Sequence, residues 1–162
     1  MNLDKLFEVQ RGLDAEITKN HPVVFGENRL RKNILATLTE VAECANEFPE
    51  VFKFWSNKKN DKKKGLVELV DILHFLLSIG NEHEHGHGLI QVEELKKSSD
   101  IADCMIDMCF QISCIEFVKE AHTNSFIRFS ELTHLLGFTW HEVEEAYLAK
   151  NKLNYQRQDT GY

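Results

Sequence analysis

The sequence contains little of what a β-rich or membrane-spanning protein needs. It has two prolines and eight glycines among 162 residues, and few alternating runs of β-branched residues. Scarce helix breakers and little alternation favour an all-α fold, for which we expect a bundle of about five to six helices. No apolar window approaches the length of a membrane span, so we expect no membrane partner.

Basic charge and cysteine are also scarce. Lysine and arginine number 19 against 26 acidic residues, for a net charge of -7, and the four cysteines include no Cys-x-x-Cys pair. Binding duplex nucleic acid requires extensive phosphate neutralisation, so we expect no nucleic-acid partner. The opening residues 1–10 lack a signal-peptide core, and the cysteines are interpreted as reduced apolar residues. We therefore expect a cytoplasmic protein with a single domain over residues 1–162.

What the sequence does contain is two helical segments that each carry two carboxylates three residues apart. These are Glu40 with Glu43, and Glu68 with Asp71. A spacing of three places both members of a pair on one helix face. If the helices are neighbours, the four groups converge and repel one another unless a cation binds, and crowded carboxylate oxygens suit Mg²⁺. We hypothesise a magnesium site for splitting a nucleoside triphosphate.

The alternative for these pairs is a solvated helix face. The apolar stripe of the first segment falls opposite Glu40 and Glu43, as such a face requires. The second segment is apolar nearly all round, which predicts a buried helix, and buried carboxylates are rarely left unpaired. Phe75 follows Asp71 by one turn, where its ring could stack on a base.

Other segments give coarser predictions. The first helix should span residues 2–19, and it places Gln10 and Asp14 one turn apart, either as an exposed polar pair or as ligand contacts. Further helices are predicted from 28 to the middle fifties with a disturbance at Pro49, over 99–121, over 126–136, and from a Thr139–Glu142 capping box onward. His83, His85 and His87 alternate by two between glycines, which does not align ligands on a helix, so we expect no specific metal site there.

The last predicted helix carries a polar stripe where a core helix would carry leucines. Its members include Lys150, Asn151, Asn154 and Arg157. A point charge, amide donors and a bidentate guanidinium are the groups that a triphosphate requires. The alternative is a solvated C-terminal helix.

Three segments together, ATLTEVAECANEF, ELVDILHFLLS and YLAKNKLNYQRQDTGY, resemble the dimeric deoxyuridine triphosphatases (dUTPases) of the all-α nucleotide pyrophosphohydrolase superfamily. That superfamily also contains the MazG-type enzymes. The acidic pairs are shared by the whole superfamily, whereas the Lys-Asn-x-x-Asn-x-x-Arg-Gln-Asp-x-Gly-Tyr ending is particular to the dUTP branch. The resemblance implies a homodimer that hydrolyses dUTP to dUMP and pyrophosphate, with two or three Mg²⁺ per site and dUDP as a second candidate substrate. Such an activity keeps uracil out of DNA and supplies dUMP.

The resemblance also implies roles for individual residues. The implied Mg²⁺ ligands, with Glu43 as the general base, are Glu40, Glu43, Glu68 and Asp71. The residues implied at the base and sugar are Gln10, Asp14, Trp55, His74 and Phe75. The implied phosphate-binding residues are Lys150, Asn151, Asn154 and Arg157.

The sequence departs from the family pattern at two places near the base. The compact Pro-Trp-Lys-Trp run is here the longer FPEVFKFW with one tryptophan, and Asp14 stands where relatives often have asparagine. Two rival functions therefore stay open. One is a MazG-like pyrophosphohydrolase that prefers dCTP or a broad range of bases. The other is a non-catalytic helical interaction protein, which the retention of all four carboxylates disfavours.

Overall fold

The chain folds into helices throughout the part that the structure describes. This structure is a computed structural model, and it describes residues 3–82, 98 and 100–161. In these ranges there are six α-helices, one 3-10 turn and no strand, which confirms the all-α prediction. The elements are α1 (Leu3–Asn20), α2 (Arg29–Glu47), the 3-10 turn Pro49–Val51, α3 (Lys62–Glu82), α4 (Ile101–Cys114), α5 (Ala121–Leu135) and α6 (Trp140–Thr160). The predictions for His83, His85 and His87, and Tyr162 of the C-terminal motif, lie outside the described residues.

Helix α3 is the centre of the fold. It contacts α1, α2, α5 and α6, while α4 packs mainly on α5. Its side chains are buried around most of its circumference, as predicted, and those with no exposed surface are Leu69, Ile72, Leu73, Leu76, Leu77 and Ile79. Carboxylates that project from such a helix toward its neighbours are held in place by a rigid core. In the described part of the chain, every helix falls short of the length and hydrophobicity that a membrane span requires.

The close approach of α3 to the end of α2 depends on Gly65. A Cβ atom at this position would lie 2.2 Å from Cε2 of Phe48. The Phe48 ring is itself buried and makes an edge contact with Phe138. Because that ring has little room to move, only glycine fits at position 65 without displacing it.

Three predicted helix boundaries were wrong. Helix α2 ends at Glu47 rather than in the middle fifties, because Phe48 precedes a proline and leaves the helical region with φ -117° and ψ 57°. The segment predicted as one helix over 99–121 ends at Cys114, where the backbone tightens into short turns, and α5 then begins at Ala121 rather than at 126.

Helix α6 begins and turns as its sequence predicts. Thr139 and Glu142 form the capping box, since each side chain meets the backbone N–H of the other. The buried residues of α6 are Val143, Tyr147 and Asn151, one turn apart from each other. The polar stripe therefore faces inward over its middle turns, toward α1 and α3.

Candidate active site

A cavity of about 960 Å³ lies between α1, α3 and α6 and extends to α2. Its volume is that of a small-molecule site. Nine residues that the sequence assigned to the site line it, namely Gln10, Asp14, Glu40, Asp71, His74, Phe75, Lys150, Asn154 and Arg157. The pairing of α2 with α3 and of α3 with α6 brings these side chains together from distant parts of the chain.

An acidic cluster stands where α2 packs on α3. Glu40, Glu68 and Asp71 each offer a carboxylate oxygen, and these atoms lie within 4.8 Å of one another. Burial and then the charges of Asp71, Glu43 and Glu68 raise the pKa of Glu40 to about 7. Burial also raises the pKa values of Glu68 and Asp71. Carboxylates that repel one another at this range form a suitable oxygen donor set for a hard divalent cation.

Glu43 stands beside this cluster rather than within it. Its side chain is exposed and does not line the cavity. Its charge nevertheless contributes to the raised pKa values of Glu40, Glu68 and Asp71, so it lies within electrostatic range of all three. The structure thus brings three of the four predicted carboxylates into one tight group, with the fourth at its edge.

Helix α6 supplies the positive charge. Lys150 Nζ lies 2.5 Å from Asp71 Oδ2, and both side chains are only 16% exposed. Arg157 lies near enough to Asp71 to act on its charge, and its Nη1 donates to Asn154 Oδ1 over 3.4 Å. Lys150, Asn154 and Arg157 line the cavity, whereas Asn151 is buried against Tyr147.

A hydrogen-bond network centred on Gln10 lies about one helical turn from Asp71 and Lys150, at His74 on α3 and Tyr147 on α6. This side chain is only 2% exposed. Its Nε2 donates to Asp14 Oδ1 over 2.9 Å and to Ser78 Oγ over 3.1 Å. Its Oε1 accepts from the Tyr147 hydroxyl over 2.8 Å and contacts His74 Nδ1 at the same distance. Both donors and both acceptor positions of the amide are therefore in use.

Asp14 is held by the same network but retains free acceptor capacity. The Ser78 hydroxyl donates to Asp14 Oδ1, and Asn81 Nδ2 donates to Oδ2 over 3.2 Å. With the bond from Gln10, and among the residues that the structure describes, Oδ1 accepts twice and Oδ2 accepts once. Because a carboxylate has about four acceptor positions, one on Oδ2 is left over at the cavity wall.

His74 is locked as a neutral ring. It stacks on Tyr147 with ring centroids 4.2 Å apart and an interplanar angle of 25°. Burial, followed by the charge of Lys150, lowers the pKa of His74 to about 3. Its Nε2 is buried and has no hydrogen-bond partner among the described residues.

A family model of the dUTPases matches residues 2–162. The chain belongs to the dUTPase family. Its activity is accordingly that of a dUTP diphosphatase, which hydrolyses dUTP. A comparison with curated proteins found no match. Enzymes of this family generally use a divalent metal, and the oxygen donors of Glu40, Glu68 and Asp71 fit one.

Four residues predicted at the site are not in the cavity lining: Glu43 and Glu68 belong to or flank the acidic cluster, Asn151 is buried beside Tyr147, and the fourth is Trp55. Trp55 is 67% exposed on the loop after the 3-10 turn, in edge contact with Phe54 at 4.9 Å, and it does not line the cavity. Phe75, in contrast, is half-buried at the cavity wall. The proposed role of Trp55 in covering a base stays a prediction.

Sequence reasoning missed three members of the dUTPase site. Ser78 and Asn81 follow His74 by four and seven residues, so helical spacing already placed them on the face that lines the cavity. Tyr147 belongs to the polar stripe of α6, but its contact with Gln10 depends on the packing of α1 against α6. Spacing could have revealed the first two residues, whereas the third required the tertiary structure.

Proposed function

We propose that this enzyme hydrolyses dUTP to dUMP and pyrophosphate in the cavity and that the reaction depends on Mg²⁺. One observation carries the proposal. Three carboxylates from two helices converge within 4.8 Å, and a cationic helix face lines the same cavity. This combination suits an anionic substrate that arrives with divalent cations.

The metal ligands in this proposal are Glu40, Glu68 and Asp71, with Glu43 at their edge. When bound, Mg²⁺ offsets the negative charge of the phosphate oxygens and lowers the pKa of a bound water. Glu43 is exposed beside the cluster, where it accepts a proton from the attacking water as general base. Lys150 and Arg157 hold the triphosphate and offset the charge that builds on the departing pyrophosphate, while Asn154 supplies amide donors.

Recognition of uracil follows from the acceptor left on Asp14. Uracil presents N3–H, a donor, to a carboxylate oxygen, and Phe75 offers a ring on which the base stacks. Cytosine presents an unprotonated N3, whose lone pair would face the carboxylate and leave both groups without a donor. Such a mismatch in a hydrogen-bonding pocket discriminates strongly. His74 lies nearer the sugar in this arrangement.

A homodimer belongs to the proposal as well. Ile106, Phe110 and Phe117 project from α4 and the turn after it with exposures of 69%, 62% and 76%. Large apolar side chains grouped on one face mark a protein interface. Sedimentation velocity should give a dimer, and Phe110→Glu should shift it toward monomer. We also place the enzyme in the cytoplasm, where the four unpaired cysteines are stable.

A nucleotide panel with product analysis tests the proposed reaction. Purified protein is incubated with dUTP, dUDP, dCTP, dTTP and UTP, with Mg²⁺ or with EDTA, and products are identified by ³¹P NMR. We expect dUMP and pyrophosphate from dUTP in the Mg²⁺ sample only. Glu43→Gln should abolish turnover without changing the helical circular dichroism spectrum. Preferential turnover of dCTP, release of orthophosphate, or equal activity in EDTA would each contradict the proposal.

A further inference from the structure

Gln10 is the residue that α1, α3 and α6 share. Its amide is buried and uses all four of its hydrogen-bonding positions on protein partners. Such an amide has no group left for a nucleotide. The role suggested by family resemblance, recognition of the uracil edge, therefore falls to Asp14 in this chain, and Gln10 must act through its neighbours.

Asp14 determines which way the Gln10 amide points. An ionised carboxylate only accepts hydrogen bonds, so the amide NH₂ must face Asp14 Oδ1 at 2.9 Å. The amide carbonyl consequently faces the other way, toward Tyr147 and His74. A flipped amide would set its oxygen against the Asp14 carboxylate, two acceptors face to face, and would lose the bond to Oδ1 whichever tautomer His74 adopts.

The orientation of the amide in turn determines the tautomer of His74. A carbonyl oxygen 2.8 Å from Nδ1 can only accept, so Nδ1 carries the hydrogen and Nε2 keeps its lone pair. The Tyr147 hydroxyl donates to the same oxygen over 2.8 Å, and its ring stacks on the imidazole. The imidazole is 5% exposed and belongs to the cavity wall.

We propose that Asp14, Gln10 and Tyr147 are positioning residues that hold His74 as its Nδ1–H tautomer and so present Nε2 to the nucleotide as a hydrogen-bond acceptor. The nucleotide group that meets Nε2 must then be a donor, a hydroxyl or an N–H. In the part of the chain that the structure describes, no group hydrogen-bonds to Nε2, which fits this use. The inference rests on the proposed function only for the identity of the donor.

The tautomer can be measured directly by long-range ¹H–¹⁵N NMR of the imidazole rings in the unliganded protein. His74→Asn assigns the resonances. We expect the wild-type ring to show a protonated Nδ1 and an unprotonated Nε2. Gln10→Met, which keeps the size of the side chain and removes its hydrogen bonds, should convert the ring to a mixture or to the Nε2–H form. Tyr155→Phe, a matched hydroxyl deletion two turns along α6, should leave the pattern unchanged.

Kinetics supplies a second readout that a purely structural role would not produce. Tyr147→Phe keeps the ring stack and loses the hydroxyl, so the KM for dUTP should rise about three- to tenfold while kcat changes less. Because Tyr147 acts through Gln10, the double variant should resemble Gln10→Met alone rather than show the product of the two effects. Tyr155→Phe should leave KM unchanged.

Several results would overturn the proposal that Asp14, Gln10 and Tyr147 hold His74 in one tautomer. They are an Nε2–H ring in the wild-type protein, an unchanged ring in both Gln10→Met and Tyr147→Phe, or multiplicative effects in the double variant. If Gln10→Met does not fold, the wild-type spectrum and Tyr147→Phe still decide. The NMR measurement needs no nucleotide. If it gives the expected tautomer while the protein turns over no nucleotide in the panel, the proposed function is refuted and the positioning of His74 is not.

Discussion

The two ends of the cavity differ in how complete they are. At the acidic cluster, three carboxylates crowd together and Lys150 makes the one close ion pair with them that the described residues provide. At the Gln10 end, every hydrogen-bonding group of the central amide has a partner inside the protein. One end thus offers oxygen donors that fit a divalent cation, while the other is organised in advance. A site built this way would take its specificity from the preformed hydrogen-bond network and its chemistry from a cation bound at the carboxylates.

The two ends should also respond to pH in opposite directions. The pKa of Glu40 is raised to about 7. The folded protein therefore holds that proton more tightly than the unfolded chain, and this stabilisation is present below about pH 4.5 and lost as pH rises through 7. The pKa of His74 is lowered to about 3. Here the unfolded chain takes up the proton first, so the stabilisation is present above about pH 6.5 and lost as pH falls.

The largest expected effect comes from neutralising one carboxylate of the acidic end. Asp71→Asn should lower kcat/KM for dUTP by roughly three orders of magnitude, because a metal-ion contribution of several kcal/mol is lost. Its unfolding free energy in EDTA should not fall in proportion, because repulsion with Glu40 and Glu68 is relieved. Glu145→Gln, exposed on α6 and outside the cavity lining, is the control for steady-state kinetics. Near wild-type activity of Asp71→Asn would remove the acidic end from the mechanism.

The next effect tests the Gln10 end of the cavity. Between pH 7 and pH 4.5 the wild-type protein should lose about 2–3 kcal/mol of unfolding free energy relative to His74→Asn. Only in the wild type does unfolding expose an imidazole at position 74, which then takes up a proton. Urea denaturation of both proteins at several pH values gives this difference. A difference that stays constant with pH would contradict the assignment of a buried, neutral His74.

A smaller effect concerns the internal counter-ion. Lys150→Met should lower the unfolding free energy in EDTA by about 1–3 kcal/mol, because Asp71 loses a charged hydrogen bond in a partly buried place. The same variant should bind Mg²⁺ more tightly without nucleotide, since no ammonium competes, and bind dUTP more weakly. Lys152→Met is the exposed control on α6. Calorimetric titrations with Mg²⁺ and thermal unfolding in EDTA measure both parts, and weaker Mg²⁺ binding would contradict the competition.

The smallest effect is the pH response of the acidic end. In EDTA, wild-type protein should lose about 1 kcal/mol relative to Glu40→Gln between pH 4.5 and pH 7.5, a value kept low because solvent screens a half-exposed group. Saturating Mg²⁺ should abolish that loss. If the loss persists in Mg²⁺, the cation does not bind at Glu40.

The acidic end was more predictable from the sequence than the Gln10 end, for a physical reason. Spacing of three along one helix places Glu68 and Asp71 on one face whatever the tertiary structure, and the apolar surroundings of α3 already indicated burial. The Gln10 amide uses all its hydrogen-bonding positions, and three of its partners lie 64, 68 and 137 residues away along the chain. No local sequence pattern specifies such contacts. The interpretation of residues 1–162 as a single domain stays a prediction.

Local sequence patterns also gave a wrong helix end where a single proline competed with a longer helical periodicity. Helical periodicity around Phe48 suggested continuation of α2, yet the proline that follows it ended the helix. Trp55 is exposed on the loop after the 3-10 turn, and helical spacing says nothing about where a loop side chain points.

The missing side chain at position 65 has a consequence for cation choice. Gly65 lies one turn before Glu68, at the place where the Phe48 ring touches the backbone of α3. An added Cβ would displace the Phe48 ring or separate α3 from the end of α2, and such a separation would move Glu68 and Asp71 away from Glu40. Ca²⁺ bonds are a few tenths of an ångström longer than those of Mg²⁺. Gly65, which has no ligand atom of its own, would thereby influence whether the carboxylates fit Mg²⁺ or the larger Ca²⁺.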